Sequence, residues 1–195
     1  MSDIAIETER LLLRAPTIED APLFLRYVVE NREHLSRWEP LRDEAYYTLD
    51  HWSVTLASQC ARIRRGDRFS RILFSRETVE GNSGSEPEIL GSCTLDPIQR
   101  GAFLSATLGY SLAAHATGNG LMQEALTALI AHAFGSLGLH RIEANVLPQN
   151  ERSLKLLDRL GFVREGLSER YLRIDGRWQD HVRTALLADH ARRPL

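Results

Sequence analysis

Lysine is almost missing from this chain: of 24 basic residues, Lys155 alone is a lysine. The basic total does not exceed the 26 acidic residues, and the formal net charge is −2. A protein that coats nucleic acid is usually basic, so no direct nucleic-acid partner is expected. Cysteine is scarce too. Cys60 and Cys93 stand far apart and without metal-ligand spacing, which argues against a disulfide framework and against a metal site, and fits a reducing cytoplasm. No apolar run approaches the roughly 18 residues of a membrane span. The start, Met1-Ser2-Asp3-Ile4-Ala5, puts an acid where a secretory signal carries base. The expectation is a cytoplasmic protein with no membrane partner. At 195 residues, 43% hydrophobic and 26% charged, the chain suits one domain spanning 1–195.

The apolar pattern alternates between the two regular periods. Arg10-Leu11-Leu12-Leu13-Arg14 reads as a buried strand. Thr17 with Asp20 three residues on marks a helix start, and Pro22 counts mildly against regularity there. From Thr48 to Arg65, Leu49, Trp52, Leu56, Cys60 and Ile63 trace one helical face, with Gly66 as the stop. Phe69–Ser75, Ile89–Leu95 and Phe103–Leu112 read as strands, the last two joined by a turn beginning at Asp96-Pro97. Residues 80–88 read as a loop without chemistry. Leu121 to Leu137 gives the strongest helical pattern. Arg141–Val146 alternates as a two-faced strand. Leu154, Leu157 and Leu160 mark a helix capped by Asn150 and stopped by Gly161. Asp175-Gly176 predicts a type I′ hairpin. The order gives a single mixed α/β (α+β) domain.

One stretch carries chemistry. In His115-Ala-Thr-Gly-Asn-Gly-Leu-Met122, Gly118 and Gly120 bracket a tight turn that runs straight into the long helix. With no bulky side chain over the backbone, its N–H groups can face a ligand, and the helix start adds partial positive charge. A phosphate is the natural guest.

These motifs, in this order, resemble the GCN5-related N-acetyltransferases: Gly118-x-Gly120 opening a helix, a strand, then Asn150-x-x-Ser153 and Gly161-Phe162. The segment Tyr171 to Val182 is similar to the C-terminal part of the ribosomal-protein-alanine N-acetyltransferases of the RimJ/RimL type. The resemblance implies a mostly antiparallel sheet splayed in a V and flanked by helices, with acetyl-CoA as co-substrate and the N-terminal alanine of a ribosomal protein as acceptor. The pyrophosphate would sit on the amides of Thr117, Gly118, Asn119, Gly120, Leu121 and Met122. Tyr110, Ser111 and Leu112 would line the pantetheine arm, and Asn150 and Ser153 would touch the cofactor. Two positions depart from the family pattern. His115 stands where Gln or Arg is frequent, and Leu157 stands where many members carry a Tyr that protonates the thiolate, a task for which Ser153 is the substitute.

Three catalytic tasks follow. An α-amino group has a pKa of about 8, so a modest base suffices, and Glu143 is the candidate, directly or through water. A backbone N–H of residues 110–112 can face the oxyanion. Ser153 can protonate the leaving thiolate. Trp38 and Glu39 fall where acceptor loops occur in this family, while Trp178, Asp180, His181 and His140 read first as structural. The competing readings are an acetyltransferase of small amines such as aminoglycosides or polyamines, and a non-catalytic acyl-CoA-binding regulator. A dinucleotide-binding motif fails because Gln123 stands in place of the third glycine, and no Gly-Lys-Ser/Thr of a Walker A loop is present. A monomer or homodimer is expected.

Overall fold

The computed structural model describes residues 4–81 and 87–191. Eight strands build one sheet: β1 (Ile6–Glu7), β2 (Leu11–Arg14), β3 (Phe69–Ser75), β4 (Gly91–Gln99), β5 (Ser105–Leu112), β6 (Arg141–Val146), β7 (Val163–Ile174) and β8 (Arg177–Leu187). Their order is β1-β2-β3-β4-β5-β6-β8-β7. All neighbours pair antiparallel except β5 and β6. That parallel pair is short, joining Ser105–Thr107 to Arg141–Glu143. Beyond it β5 stays with β4 as far as Leu112↔Gly91, and β6 stays with β8 as far as Val146↔Val182. The sheet therefore opens into two leaves, which is the expected V.

Helices cover the sheet: α1 (Ala21–Glu30), α2 (Arg32–Ser36), α3 (Leu49–Arg65), α4 (Arg76–Val79), α5 (Leu121–Gly135), α6 (Glu151–Arg159) and α7 (Ala188–Ala191). Their ends follow local chemistry. Thr17 and Asp20 form a capping box on the 3₁₀ turn Ile18–Asp20, and α1 begins after it. Pro22 thereby falls in the first turn of α1, where its missing N–H costs nothing. Thr48 caps α3 by accepting from the His51 amide, and Gly66, at φ 80°, ends it. The apolar stripe holds at Trp52, Leu56 and Ile63, which are buried, but Leu49 at the first position faces solvent.

The core is continuous across both leaves. Leu11, Leu13, Leu73, Leu95, Leu126, Leu129, Ile142 and Leu157 have no exposed surface. Each contributes about 1.5–3 kcal/mol by leaving water.

Two strand boundaries differ from expectation. β4 continues through Asp96-Pro97 to Gln99, and its register with β5 shifts between Leu95 and Ile98. Proline has no N–H for the ladder, so the strand absorbs it as an irregularity instead of turning there. β7 starts at Val163, well before Tyr171, because its edge position leaves nearly every side chain exposed and no apolar alternation marks it. The hairpin turn itself is as expected: Asp175 and Gly176 have φ of 46° and 72°, the positive values of a type I′ turn. Residues 82–86 of the expected loop lie outside the described residues.

Candidate active site

Helix α5 starts without a side-chain cap. At the head of α6 the Asn150 side chain accepts from the Ser153 amide at 3.1 Å. At the head of α5 the cap position is Gly120, at φ 76°, and no side chain accepts there. First-turn N–H groups have no acceptor within their own helix. Those of Leu121, Met122 and Gln123 are left for a ligand, at the positive end of a 15-residue helix. Gly118, at φ 90°, keeps the approach clear, since a Cβ built there would meet no atom within 4 Å.

An acid in that first turn would repel an anion, and Glu124 stands there. Its carboxylate is already engaged. It accepts from the Arg10 amide at 2.8 Å, from Arg10 Nε at 2.7 Å and from the Thr8 hydroxyl at 2.5 Å. Burial pushes the Glu124 pKa up, but the Thr8 and Arg10 contacts outweigh it and hold the carboxyl below its ordinary range. Arg10 Nη1 also donates to the Asn119 carbonyl at 2.9 Å. The glycine turn is thus pinned to the beginning of β2.

Where the end of β5 meets the heads of α5 and α6 lies a cavity of about 870 Å³, a size suited to a small-molecule site. It brings together Tyr110, Ser111, Leu112, Thr117, Gly118, Gly120, Leu121, Met122, Asn150 and Ser153. Of the expected cofactor-binding set only Asn119 does not line it. His34, Arg37, Trp38 and Glu39, from α2 and the loop after it, also line this space. Sequence reading had only Trp38 and Glu39 there, because α2 is five residues long and too short to show a period.

The Tyr110 side chain was also missed. Its hydroxyl is buried without a hydrogen-bond partner among the described residues. Burial raises its pKa, and the nearby Ser153 opposes the rise. Among the described residues the Ser153 hydroxyl is not spent on backbone, unlike that of Ser53, which donates to the Leu49 carbonyl.

A second cavity, of about 480 Å³, lies over another part of the sheet. Small residues from three strands line it: Ser70, Ser92, Thr94, Thr107, Gly109 and Ser111. Aromatic residues Phe24, Tyr27, Tyr46 and Trp52 also line it. The Tyr27 hydroxyl donates to Ser111 Oγ at 3.0 Å, and Ser70 and Thr94 share a hydrogen bond of 2.8 Å. Trp52 Nε1, Arg68 Nε and Asn145 Oδ1 are buried without protein partners among the described residues, and all three residues line this space. Such atoms require water or a ligand. Asp96, by contrast, is ion-paired with Arg62 and Arg68. Glu39, Tyr110 and Ser111 line both cavities.

Glu143, the candidate base, lies apart from both cavities. Its carboxylate accepts from Arg141 Nε at 2.8 Å and from Arg183 Nη2 at 3.1 Å. Arg141 extends this network to Glu165. Leu157 is fully buried core, and His115 pairs with Glu88 at 3.4 Å on the surface. Asp180 accepts from the Arg170 amide at 2.8 Å, His181 is buried, and neither they nor Trp178 line a cavity.

A sheet that opens beyond one parallel pair, with a glycine-headed helix at the mouth, is the architecture of an acetyltransferase. The chain belongs to the GNAT family: residues 10–163 match its family model, described as an acetyltransferase (GNAT) domain. It is 40% identical over 183 residues to the [ribosomal protein uS5]-alanine N-acetyltransferase of Escherichia coli (strain K12), covering 94% of this chain and 90% of that one. Its fold matches the ribosomal-protein-S5-alanine acetyltransferase from Vibrio fischeri at TM-score 0.87 and 32% identity, covering 98% of this chain and 100% of that one. Mycobacterium smegmatis RimJ, solved in complex with CoA-disulfide, matches at TM-score 0.85 and 31% identity, covering 94% and 84% respectively.

Proposed function

We propose that this protein transfers the acetyl group of acetyl-CoA to the α-amino group of an N-terminal alanine on a ribosomal protein, in the cytoplasm. The observation that carries this reading is the meeting of two cavities at β5, one headed by an uncapped helix and the other open to an acceptor. The names of the similar proteins supply the acceptor class.

The site residues divide the work. The amides of the glycine turn from Gly118 to Met122 hold the pyrophosphate; the expected Thr117 amide drops out, because it donates to the Ala114 carbonyl at 3.3 Å. The free end of β5, Tyr110 to Leu112, lines the arm and offers N–H groups toward the carbonyl oxygen, where fixed donors stabilise developing charge without reorganising. Ser153, capped through its own amide by Asn150, keeps a free hydroxyl for the departing thiolate, with Tyr110 beside it. A thiol of pKa near about 8.5 leaves without strong acid help. The acceptor enters from the second cavity, whose unpaired donors and acceptor suit a peptide backbone.

The test is mass spectrometry of ribosomal-protein N-termini from cells with and without this protein, together with thiol release from acetyl-CoA in the presence of an alanine-starting peptide. Gain of one acetyl group on an N-terminal alanine supports the reading. Turnover restricted to aminoglycosides or polyamines overturns the acceptor, and acetyl-CoA binding without turnover on any amine reduces the protein to a regulator.

A further inference from the structure

We propose that Glu39 is the catalytic carboxylate that binds the acceptor's α-ammonium group and takes its proton where the two cavities meet. This rests on the acetyl-transfer reading above.

Transfer requires the amine and the thioester carbonyl to touch, so the reacting atoms belong at the junction. Of the three residues that line both cavities, Glu39, Tyr110 and Ser111, only Glu39 carries a carboxyl group. The other carboxylates are elsewhere or engaged. Glu30, Glu33 and Glu151 line only the first cavity, and Asp96 lines only the second, tied to Arg62 and Arg68. Glu143, as shown above, is held by two arginines.

Glu39 is placed but not consumed. Its backbone carbonyl accepts from the Asp175 amide at 3.1 Å, so the tip of the β7–β8 hairpin fixes the loop. Among the described residues its side chain is ion-paired with Arg42, at 3.6 Å, longer than a good charge-assisted hydrogen bond. Arg42 is drawn the other way, its guanidinium lying 4.5 Å from the centre of the Tyr46 ring. The phenols of Tyr27 and Tyr46 feel the Glu39 charge, and the other ionisable groups that share its cavities include Tyr110, His34 and Arg37 in the first and Arg68 and Asp96 in the second. Burial raises the Glu39 pKa, opposed in part by Arg42. The direction is the one a base for an amine needs, since a more basic carboxylate takes a proton more readily.

The step balances. One N–H bond of the ammonium breaks and its proton passes to Glu39. The freed lone pair forms the C–N bond at the thioester carbonyl, and the C–S bond then breaks. The second amine proton reaches the sulfur by way of Ser153, and Glu39 returns its proton to solvent. The products are an N-acetyl peptide, free thiol and one proton.

The experiment measures kcat/KM for an alanine-starting peptide by thiol release from pH 6 to 9.5, in wild type, Glu39→Gln and Glu39→Asp. Acetyl-CoA affinity and thermal midpoint serve as controls. For Glu39→Gln we expect a loss of about 100-fold at pH 7, shrinking as pH passes the amine's pKa of about 8, with acetyl-CoA affinity unchanged. Glu39→Asp should recover part of the loss and keep the wild-type pH dependence. A wild-type rate in Glu39→Gln at pH 7, or a loss constant across the pH range, overturns the proposal. Should Glu39→Gln not fold, a loss under twofold in Glu39→Asp also overturns it. If wild type ignores the peptide but acetylates a small amine, the acceptor reading fails alone and the same profile on that amine tests Glu39. If no amine is acetylated, both fail.

Discussion

Arg10 and Glu124 are 114 residues apart in sequence, and the Arg10 side chain and amide both bind the Glu124 carboxylate. The same guanidinium reaches the Asn119 carbonyl. One arginine thus neutralises the acid in the first turn of α5 and fixes the turn that leads into it. Arg10→Ala is expected to raise the acetyl-CoA dissociation constant about 5-fold, the scale of about 1 kcal/mol for a partly exposed pair. Titration calorimetry checks this; an unchanged constant would mean that the glycine turn holds its shape without Arg10.

Gly118 separates strain from obstruction. Its φ of 90° strains any L-residue, while a Cβ there meets no protein atom within 4 Å. Gly118→Ala should cost about 1 kcal/mol of stability by denaturant titration. Gly118→Val should add a loss of acetyl-CoA affinity of more than about 10-fold while the domain remains folded, because its branches enter the phosphate path. Tight binding by the valine variant would exclude the turn as the anion site.

Ser153 and Tyr110 lie near each other in the first cavity. Ser153→Ala is expected to lower kcat by about 10-fold with the thermal midpoint unchanged, less than a full general-acid effect because a thiolate leaves readily. Tyr110→Phe should lower kcat less, and the double variant should show whether the two act as one unit. If Ser153→Ala retains full kcat, proton donation belongs to another group or to water.

Asp20 tests stability. It is 4% exposed, and accepts two bonds from Arg14, at 2.7 and 2.6 Å, and one from the Thr17 amide at 2.7 Å. Burial pushes its pKa up, but Arg14 and Thr17 prevail and the net shift is downward from 3.8. A carboxyl whose folded pKa is depressed stabilises fully above its unfolded pKa and loses that contribution as pH falls through the folded value. Asp20→Ala should therefore cost roughly 2–4 kcal/mol near neutrality, and the difference from wild type should narrow below about pH 4. Urea unfolding at several pH values measures it; a constant difference would contradict the pairing.

Glu143→Gln should behave differently from the Glu39 variant. With Arg141 and Arg183 as its partners, its expected effect is a lower thermal midpoint and an unchanged shape of the pH–rate profile.

The glycine turn and the cap of α6 were legible because each is built from contiguous sequence. Gly118 and Gly120 take positive φ and Asn150 caps the Ser153 amide, and both features leave local signals. Strand β6 and the Asp175-Gly176 turn were readable for the same reason. The acceptor side depends on tertiary placement. Glu39 and the aromatic residues of α1 and α3 are unremarkable until folding sets them over small residues of β3, β4 and β5. Glu143 shows the same dependence: a carboxylate at a plausible strand position is bonded by Arg183, 40 residues away. No spacing rule announces such a partner.

The three-residue parallel seam between β5 and β6 has a chemical corollary. Past it, each strand presents an inward-facing edge whose amide and carbonyl groups lack the neighbour a full ladder would provide. A bare edge at a protein's rim invites aggregation; one sunk between two leaves admits only something slender. Pantetheine is slender and carries two amides of its own, so the donor molecule can serve as the missing rung, and seating it amounts to finishing the sheet.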